Sequence, residues 1–255
     1  MSAGTAPTRT SARPTPMLEM AGVDVFYGPV QALHRLSLTV APGEVVAVLG
    51  GNASGKSTTI KSALRSVTPS AGRMWLAGEP MEGMSTPDVV SRGVASIPES
   101  RRLFAEMTVQ ENVLMGLYTQ RRRLSGRQVR ERLAEAAEPF PRLRERWTQL
   151  AGTLSGGEQQ MVAMARALVQ RPTMICIDEP SMGLSPAFVD TVYEVLTAWK
   201  AAGTTMLVVE QNAHRSLELA DRAYILQNGE VVLAGTAADL RGDAAVQRAY
   251  LGGAA

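Results

Sequence analysis

Three short stretches carry residue types suited to phosphate chemistry. The first, GGNASGKS, runs from Gly50 to Ser57. It fits the pattern G-x-x-x-x-G-K-[S/T] and lies between the apolar run VVAVLG and a segment of helical character. Gly50 and Gly55 allow the backbone to curl until successive N–H groups converge on phosphate oxygens. Lys56 then reaches the β- and γ-phosphates as a mobile point charge. Ser57 offers a hydroxyl to a Mg²⁺ that keeps most of its shell as water and phosphate. The candidate binding set is Gly50, Gly51, Asn52, Ala53, Ser54, Gly55, Lys56, Ser57 and Thr58. The second stretch, MICIDEP, is an apolar run ending in two acids. Asp178 is placed to hold a metal-bound water, and Glu179 to orient and polarise an attacking one.

The third stretch, TLSGGEQQMVAMARAL, spans Thr153 to Leu168. Ser155 and Glu158 have the spacing of a capping box. Met161, Met164, Ala165 and Leu168 recur at helical intervals and define one apolar face. A glycine-rich helix start is an anion site, yet this one carries no lysine. Two such starts on different lobes cannot serve one nucleotide. A head-to-tail pair of chains resolves this: each phosphate loop holds one nucleotide, and Ser155, Gly156 and Gly157 of the other chain cap its γ-phosphate with a hydroxyl and backbone donors.

The elements that must position these stretches follow from pattern. Val45–Gly50, Met174–Asp178 and Thr205–Glu210 are short apolar runs, with helical segments at 186–201 and 212–220 after the last two. Strands alternating with helices imply a mostly parallel sheet covered on both faces. The segments before residue 45 and after 222 read as antiparallel strands, with a hairpin turning at Asn228–Gly229. Residues from about 105 to 150 show helical spacing and no strand, as in RQVRERLAEAAEPF, and imply a helical lobe inserted in an α/β core. Arg121–Arg123 reads as a solvated run.

Composition narrows the class. The 255 residues are 45% hydrophobic, enough for a substantial core, and the net charge of +2 implies no polyanion-binding surface and no nucleic-acid partner. Cys176 is the single cysteine, so no intrachain disulfide forms, and its apolar setting marks it as core. No run approaches the ~18–20 apolar residues of a membrane helix. Residues 1–16 are small, polar and proline-bearing, and are expected to form a disordered tail, since the prolines would interrupt a transit-peptide helix.

LSGGEQ, standing between a phosphate loop and an acidic strand end, resembles the signature of the ATP-binding-cassette (ABC) family, and the family pattern runs from about residue 17 to 252. The resemblance implies an α/β fold with a RecA-like P-loop core, an antiparallel β lobe and an inserted helical lobe at about 100–165. It implies ATP and Mg²⁺ as cofactors, and a sandwich dimer as the active form. Tyr27 in VFYG matches the aromatic that stacks on adenine, Glu158 falls within the signature, and Ser181–Ser185 matches the loop that touches the partner. Glu99 stands where most members have a metal-sensing glutamine, and Gln211 where most have a catalytic histidine beside the γ-phosphate.

The finer resemblance is to the second ATPase subunit (LivF type) of branched-chain amino acid importers. It rests on IPESRRLFAEMTVQENVLMGL, DEPSMGLSP, VVEQNAHRSLELADRAYIL and the terminal AYLGG. Both replacements, Glu99 and Gln211, recur in that branch. The implied assembly is a homodimer, or a heterodimer with a sister ATPase, beneath two membrane permease subunits and served by a periplasmic or extracellular substrate-binding protein. The implied location is the cytoplasmic face of the cell membrane. Arg101, Arg102 and Phe104 are the expected dock for a permease helix. Ala53 departs from the usual glycine and would be strained if its φ is positive. The alternative is a soluble ABC ATPase without a membrane partner, such as a cluster-assembly ATPase. A further alternative, prompted by Gln211, is a nucleotide-binding regulator with little turnover.

Overall fold

The structure is a computed structural model and describes residues 15–243 and residue 246. Most of the expected tail, the AYLGG segment and the expected domain end at 252 lie outside the described residues.

β1 (Leu18–Tyr27) and β2 (Val30–Val40) form a hairpin across Gly28, whose φ is 58°. β3 (Val45–Leu49) runs into the phosphate loop and α1 (Lys56–Ala63). β4 (Ala71–Leu76), β5 (Glu79–Pro80), α2 (Thr86–Ser91) and β6 (Val94–Ile97) follow. Next come α3 (Val109–Met115), α4 (Gly126–Ala137), α5 (Pro141–Glu145) and α6 (Gly156–Leu168). The chain returns through β7 (Met174–Asp178), α7 (Pro186–Ala201), β8 (Thr205–Glu210), α8 (Ala213–Leu219), β9 (Arg222–Gln227), β10 (Glu230–Thr236) and α9 (Ala237–Gly242).

Two sheets result. An antiparallel sheet has the order β2-β1-β4-β5, and a six-stranded sheet has the order β10-β9-β3-β8-β7-β6. In the second, β9, β3, β8, β7 and β6 are mutually parallel, and β10 is antiparallel to β9 across Asn228–Gly229. Both turn residues have positive φ, as a two-residue hairpin requires. β3, β7 and β8 are buried along their whole length because both faces are covered. Val46, Val48, Cys176, Leu207 and Val209 face the antiparallel sheet and α1. Val45, Ala47, Leu49, Ile175, Ile177, Met206 and Val208 face the helices.

The helices between β6 and β7 start where local chemistry says they should. Thr108 with Glu111, Ser125 with Gln128, and Ser155 with Glu158 form reciprocal capping boxes. On α4, Val129, Leu133, Ala136 and Ala137 form the buried face. α6 is buried more completely than its one-face pattern implies, with Val162 and Ala163 as enclosed as Met164 and Ala165, while Leu168 is only partly buried. Arg121–Arg123 form a single exposed 3₁₀ turn.

α3 can lie against α6 because Gly116 ends it. A Cβ there would stand 2.1 Å from the Arg166 carbonyl oxygen and 2.5 Å from Val169 Cγ1. Gly116 has an ordinary helical φ of −60°, so the demand is for space and not for backbone freedom. Gly116→Ala is expected to lower the unfolding free energy by about 1–3 kcal/mol in urea titrations, as overpacking does. Gly126→Ala, at the first turn of α4, where a Cβ would meet only the flexible Arg130 guanidinium at 3.7 Å, is the control expected to be neutral or mildly stabilising.

Candidate functional site

The register of β3, β8 and β7 brings the chemistry together. Leu49 lies opposite Glu210, and Asp178 opposite Val209. The three strands therefore end at one edge of the sheet, where open α/β folds bind ligands. A cleft of about 520 Å³ opens there, lined by Asn52 to Thr58, Glu99, Glu179 and Met182 and also by Gln31, His34 and Asn228.

The phosphate loop is held from behind by the β9–β10 hairpin. Gly229 N–H donates to the Ser54 carbonyl, and His34 N–H donates to the Gly229 carbonyl. Gly55 has a φ of 104° and caps α1 without a side-chain bond. The helix ladder begins with Thr59 N–H donating to Gly55 O, leaving the preceding first-turn amides directed out of the helix. A Cβ on Gly55 would meet Leu33 at 2.8 Å and the Ala32 carbonyl at 2.9 Å. Gly50 is needed for closeness alone, since its Cβ would stand 2.5 Å from the Leu226 carbonyl. Ala53 has a φ of 59°, the left-handed conformation that glycine tolerates better.

Lys56 is buried and donates to the carbonyls of Gly50 and Gly51, each at 2.9 Å. Its ammonium also pairs with Glu179 Oε1 at 3.1 Å. Glu179 has a left-handed φ of 47°, and its N–H donates to Val209 O on β8. Ser57 Oγ lies 3.2 Å from Asp178 Oδ1, where it donates to the carboxylate. Burial pushes the Asp178 carboxyl up to about 6; the Ser57 hydroxyl opposes this, the charges of Glu99 and Glu179 add to it, and Lys61 opposes it. Burial also raises the Glu179 carboxyl above the usual range, against the pull of Lys56 and with the push of Glu210 and Glu99. Ser57, Asp178 and Glu99 offer oxygen donors only, which fits a hard divalent cation. Among the described residues no group of three or more His, Cys, Asp or Glu forms a complete cage, and a cation held mainly by phosphate and water needs none. Ser54 Oγ is buried without a partner.

Other expected residues sit further out. Tyr27 ends β1 half-exposed, with Lys61 Nζ 5.9 Å from its ring centre. Gln211 is exposed just past β8 and does not line the cleft of the single chain. Ser155, Gly156, Gly157 and Glu158 also lie outside it. Ser155 donates its hydroxyl to Glu158 at 2.7 Å, and Glu158 pairs with Arg146 at 3.1 Å. The two glycines differ: Gly156 is open except for the Arg101 guanidinium, 3.4 Å from a Cβ position, whereas a Cβ on Gly157 would strike the Phe188 ring at 2.2 Å. A cation thus stands beside this helix start after all, contributed by another loop. Arg101 and Arg102 both have left-handed φ, and Arg166 of α6 donates to both of their carbonyls. Sequence reasoning missed Glu210, the buried carboxylate that ends β8. Its only sequence signal is an acid closing an apolar run.

The ABC transporter family profile matches residues 33–182. The chain belongs to the ABC transporter family. A branched-chain amino acid transport ATP-binding protein, BraG of Pseudomonas aeruginosa, is 41% identical over 93% of this chain and 100% of its own length. A probable LivF of Archaeoglobus fulgidus is 36% identical over 88% of this chain and 94% of its own. The lipopolysaccharide export protein LptB of Haemophilus influenzae is 34% identical over 89% and 93%. The ADP conformation of MJ1267, an ATP-binding cassette of an ABC transporter, superposes with a TM-score of 0.81 at 26% identity, covering 93% of this chain and 99% of that one. The chain is an ABC ATPase of the LivF type, with the RecA-like core, antiparallel β lobe and helical lobe of that fold.

Two expectations follow from the cleft of this ABC ATPase. The folded pKa of Asp178 lies above its ordinary value, so the stability from its protonated form is full below pH ~4 and is lost as pH rises through about 6. Asp178→Asn removes this loss. Without nucleotide or metal, the variant should gain about 1–2 kcal/mol on the parent between pH 4.5 and 7.5, after allowance for solvent screening in an open cleft, as read by denaturant titration. Ala53→Gly should leave stability and ATP affinity within about 1 kcal/mol of the parent, because relief of backbone strain is offset by greater freedom of the unfolded chain; equilibrium unfolding and nucleotide titration check both.

Proposed function

We propose that this chain is the ATP-hydrolysing subunit of an importer for branched-chain or related amino acids, working as a dimer. The observation that carries the dimer is the separation of two anion-binding helix starts. Lys56 and Glu179 share the phosphate cleft, while Ser155 and Gly156 are exposed on a helix start outside it. A second chain's Ser155, Gly156 and Gly157 would complete each cleft. Its partner is a second copy or a sister ATPase.

In this reading the phosphate loop from Gly50 to Thr58 wraps the triphosphate, and Tyr27 stacks on the adenine. Lys56 exchanges Glu179 for the β- and γ-phosphates, which frees the Glu179 carboxylate to accept a proton from the attacking water. The raised pKa of Glu179 suits a proton acceptor. Gln211 donates its amide to the γ-phosphate. Ser57, Asp178 and Glu99 would hold Mg²⁺, which supplies charge neutralisation on the phosphate oxygens when bound. On closure, Ser155 must turn its hydroxyl from Glu158 to the partner's phosphate, and Arg146 keeps Glu158 compensated.

Amino acid import is favoured over lipopolysaccharide export by the higher identity to BraG than to LptB. Among the described residues no helix is long and apolar enough to cross a membrane. In this reading the chain sits at the cytoplasmic face of the membrane beneath two separate permease subunits, which are fed by a periplasmic or extracellular binding protein. Phe104, half-exposed beside the Arg101–Arg102 pair held by Arg166, supports docking of a permease helix there. Loss of labelled leucine, isoleucine or valine uptake on deletion of the gene tests the solute.

Glu179→Gln should keep ATP binding, lower turnover by about 10²-fold or more, and accumulate an ATP-dependent dimer in light scattering. Turnover equal to the parent at saturating Mg²⁺–ATP would remove Glu179 from the mechanism.

A further inference from the structure

Glu210 is the most enclosed carboxylate of the sheet edge, 1% exposed at the last position of β8. Its two oxygens serve two different segments. Oε1 accepts the backbone N–H of Ser181 at 3.1 Å and the Ser181 hydroxyl. Oε2 accepts the N–H of Gln211 at 2.8 Å and of Asn212 at 3.2 Å. Four donors replace the water that burial removed, and bonds to an ionised acceptor are the strong kind.

The two segments are those the reaction must coordinate. Ser181 opens the loop that follows Glu179 and includes the exposed Met182, and Met182 N–H bonds back to the Glu179 carbonyl. Gln211 leads into α8, which Asn212 caps through Arg215 N–H. A carboxylate is planar, and its oxygens stand at fixed separation. Neither segment can shift alone without stripping a buried charge of donors.

We propose that Glu210 is a positioning residue for ATP hydrolysis: it ties Gln211 to the Ser181 loop, so that the place of Gln211 at the γ-phosphate depends on where that loop is held. The inference rests on the reading that Gln211 acts on the γ-phosphate. The charge, not the volume, carries the role. A glutamine in the same pocket presents one oxygen and one NH₂ group, and in either orientation the NH₂ opposes N–H donors, so one segment loses its acceptor.

The test compares Glu210→Gln, Ser181→Ala, Gln211→Ala and the pairwise doubles with the parent. ATPase rates, affinity for a fluorescent ATP analogue and melting temperature are measured on the full chain. Glu210→Gln is expected to lower kcat at least ~10-fold while KM and analogue affinity stay within about threefold, and Glu210→Gln/Gln211→Ala should be no more than about twofold slower than the slower single variant. Unchanged kcat in folded Glu210→Gln overturns the inference. So does a parallel fall of kcat, affinity and melting temperature with additive doubles, the mark of a merely structural role. If Glu210→Gln does not fold, Ser181→Ala, which removes one donor and leaves three, decides: a reduced kcat non-additive with Gln211→Ala supports the inference, and parental kcat overturns it. Parental turnover in Gln211→Ala instead removes the underlying reading of that residue, whatever Glu210→Gln does.

Discussion

Everything at the candidate site depends on the parallel pairing of β3, β8 and β7. Pairing Leu49 with Glu210 and Val209 with Asp178 ends three apolar strands on one line. The next residue of each strand leaves the sheet into a different loop: Gly50 into the phosphate loop, Glu179 into the Ser181 loop, Gln211 toward α8. Burial of both faces makes that register hard to shift, because a slip by one residue would exchange the two sets of side chains between the helical side and the β-lobe side.

Within that frame the cleft is short of positive charge. Lys56 is its one buried ammonium and pairs with Glu179, while Glu99 and Glu179 press on Asp178. Burial disfavours the ionised forms of Asp178 and Glu179, and neighbouring carboxylates add to this, Glu99 and Glu179 for Asp178, Glu210 and Glu99 for Glu179. Lys56 is kept in place by Gly50 O, Gly51 O and Glu179, contacts that a triphosphate can replace without rebuilding the loop. Lys56 and Glu179 are thus held against one another at the mouth of the phosphate loop, an arrangement fixed by the fold.

The start of α6 is a helix cap and an exposed donor surface at once. Ser155 Oγ accepts the Glu158 N–H, and the Ser155 N–H donates to the Glu158 carboxylate, as many helices begin. Phe188 packs so closely on Gly157 that no side chain fits there, while Gly156 stays open beneath the Arg101 guanidinium. α6 also fixes the loop after β6 through Arg166. One helix therefore meets the signature residues, the left-handed Arg101–Arg102 pair and the α3 contact at Gly116.

The sequence by itself determined what local rules govern. Apolar runs gave β3, β7 and β8, the capping box of Ser155 and Glu158 gave the start of α6, and Asn228–Gly229 gave a hairpin, because each depends on residues within a few positions of one another. The glycine spacing of the phosphate loop and the acids of MICIDEP were legible for the same reason. The short strand β6 was not, since VASI has too few residues to display a period. Tertiary structure alone decided the rest. Glu210 matters because Ser181, 29 residues away, lies within hydrogen-bond reach. Gly157 and Gly116 matter because Phe188 and Arg166 arrive against them. The raised carboxyl of Asp178 follows from enclosure that no window of sequence contains. These are properties of distance and burial, set only when the sheet brings remote segments to one edge.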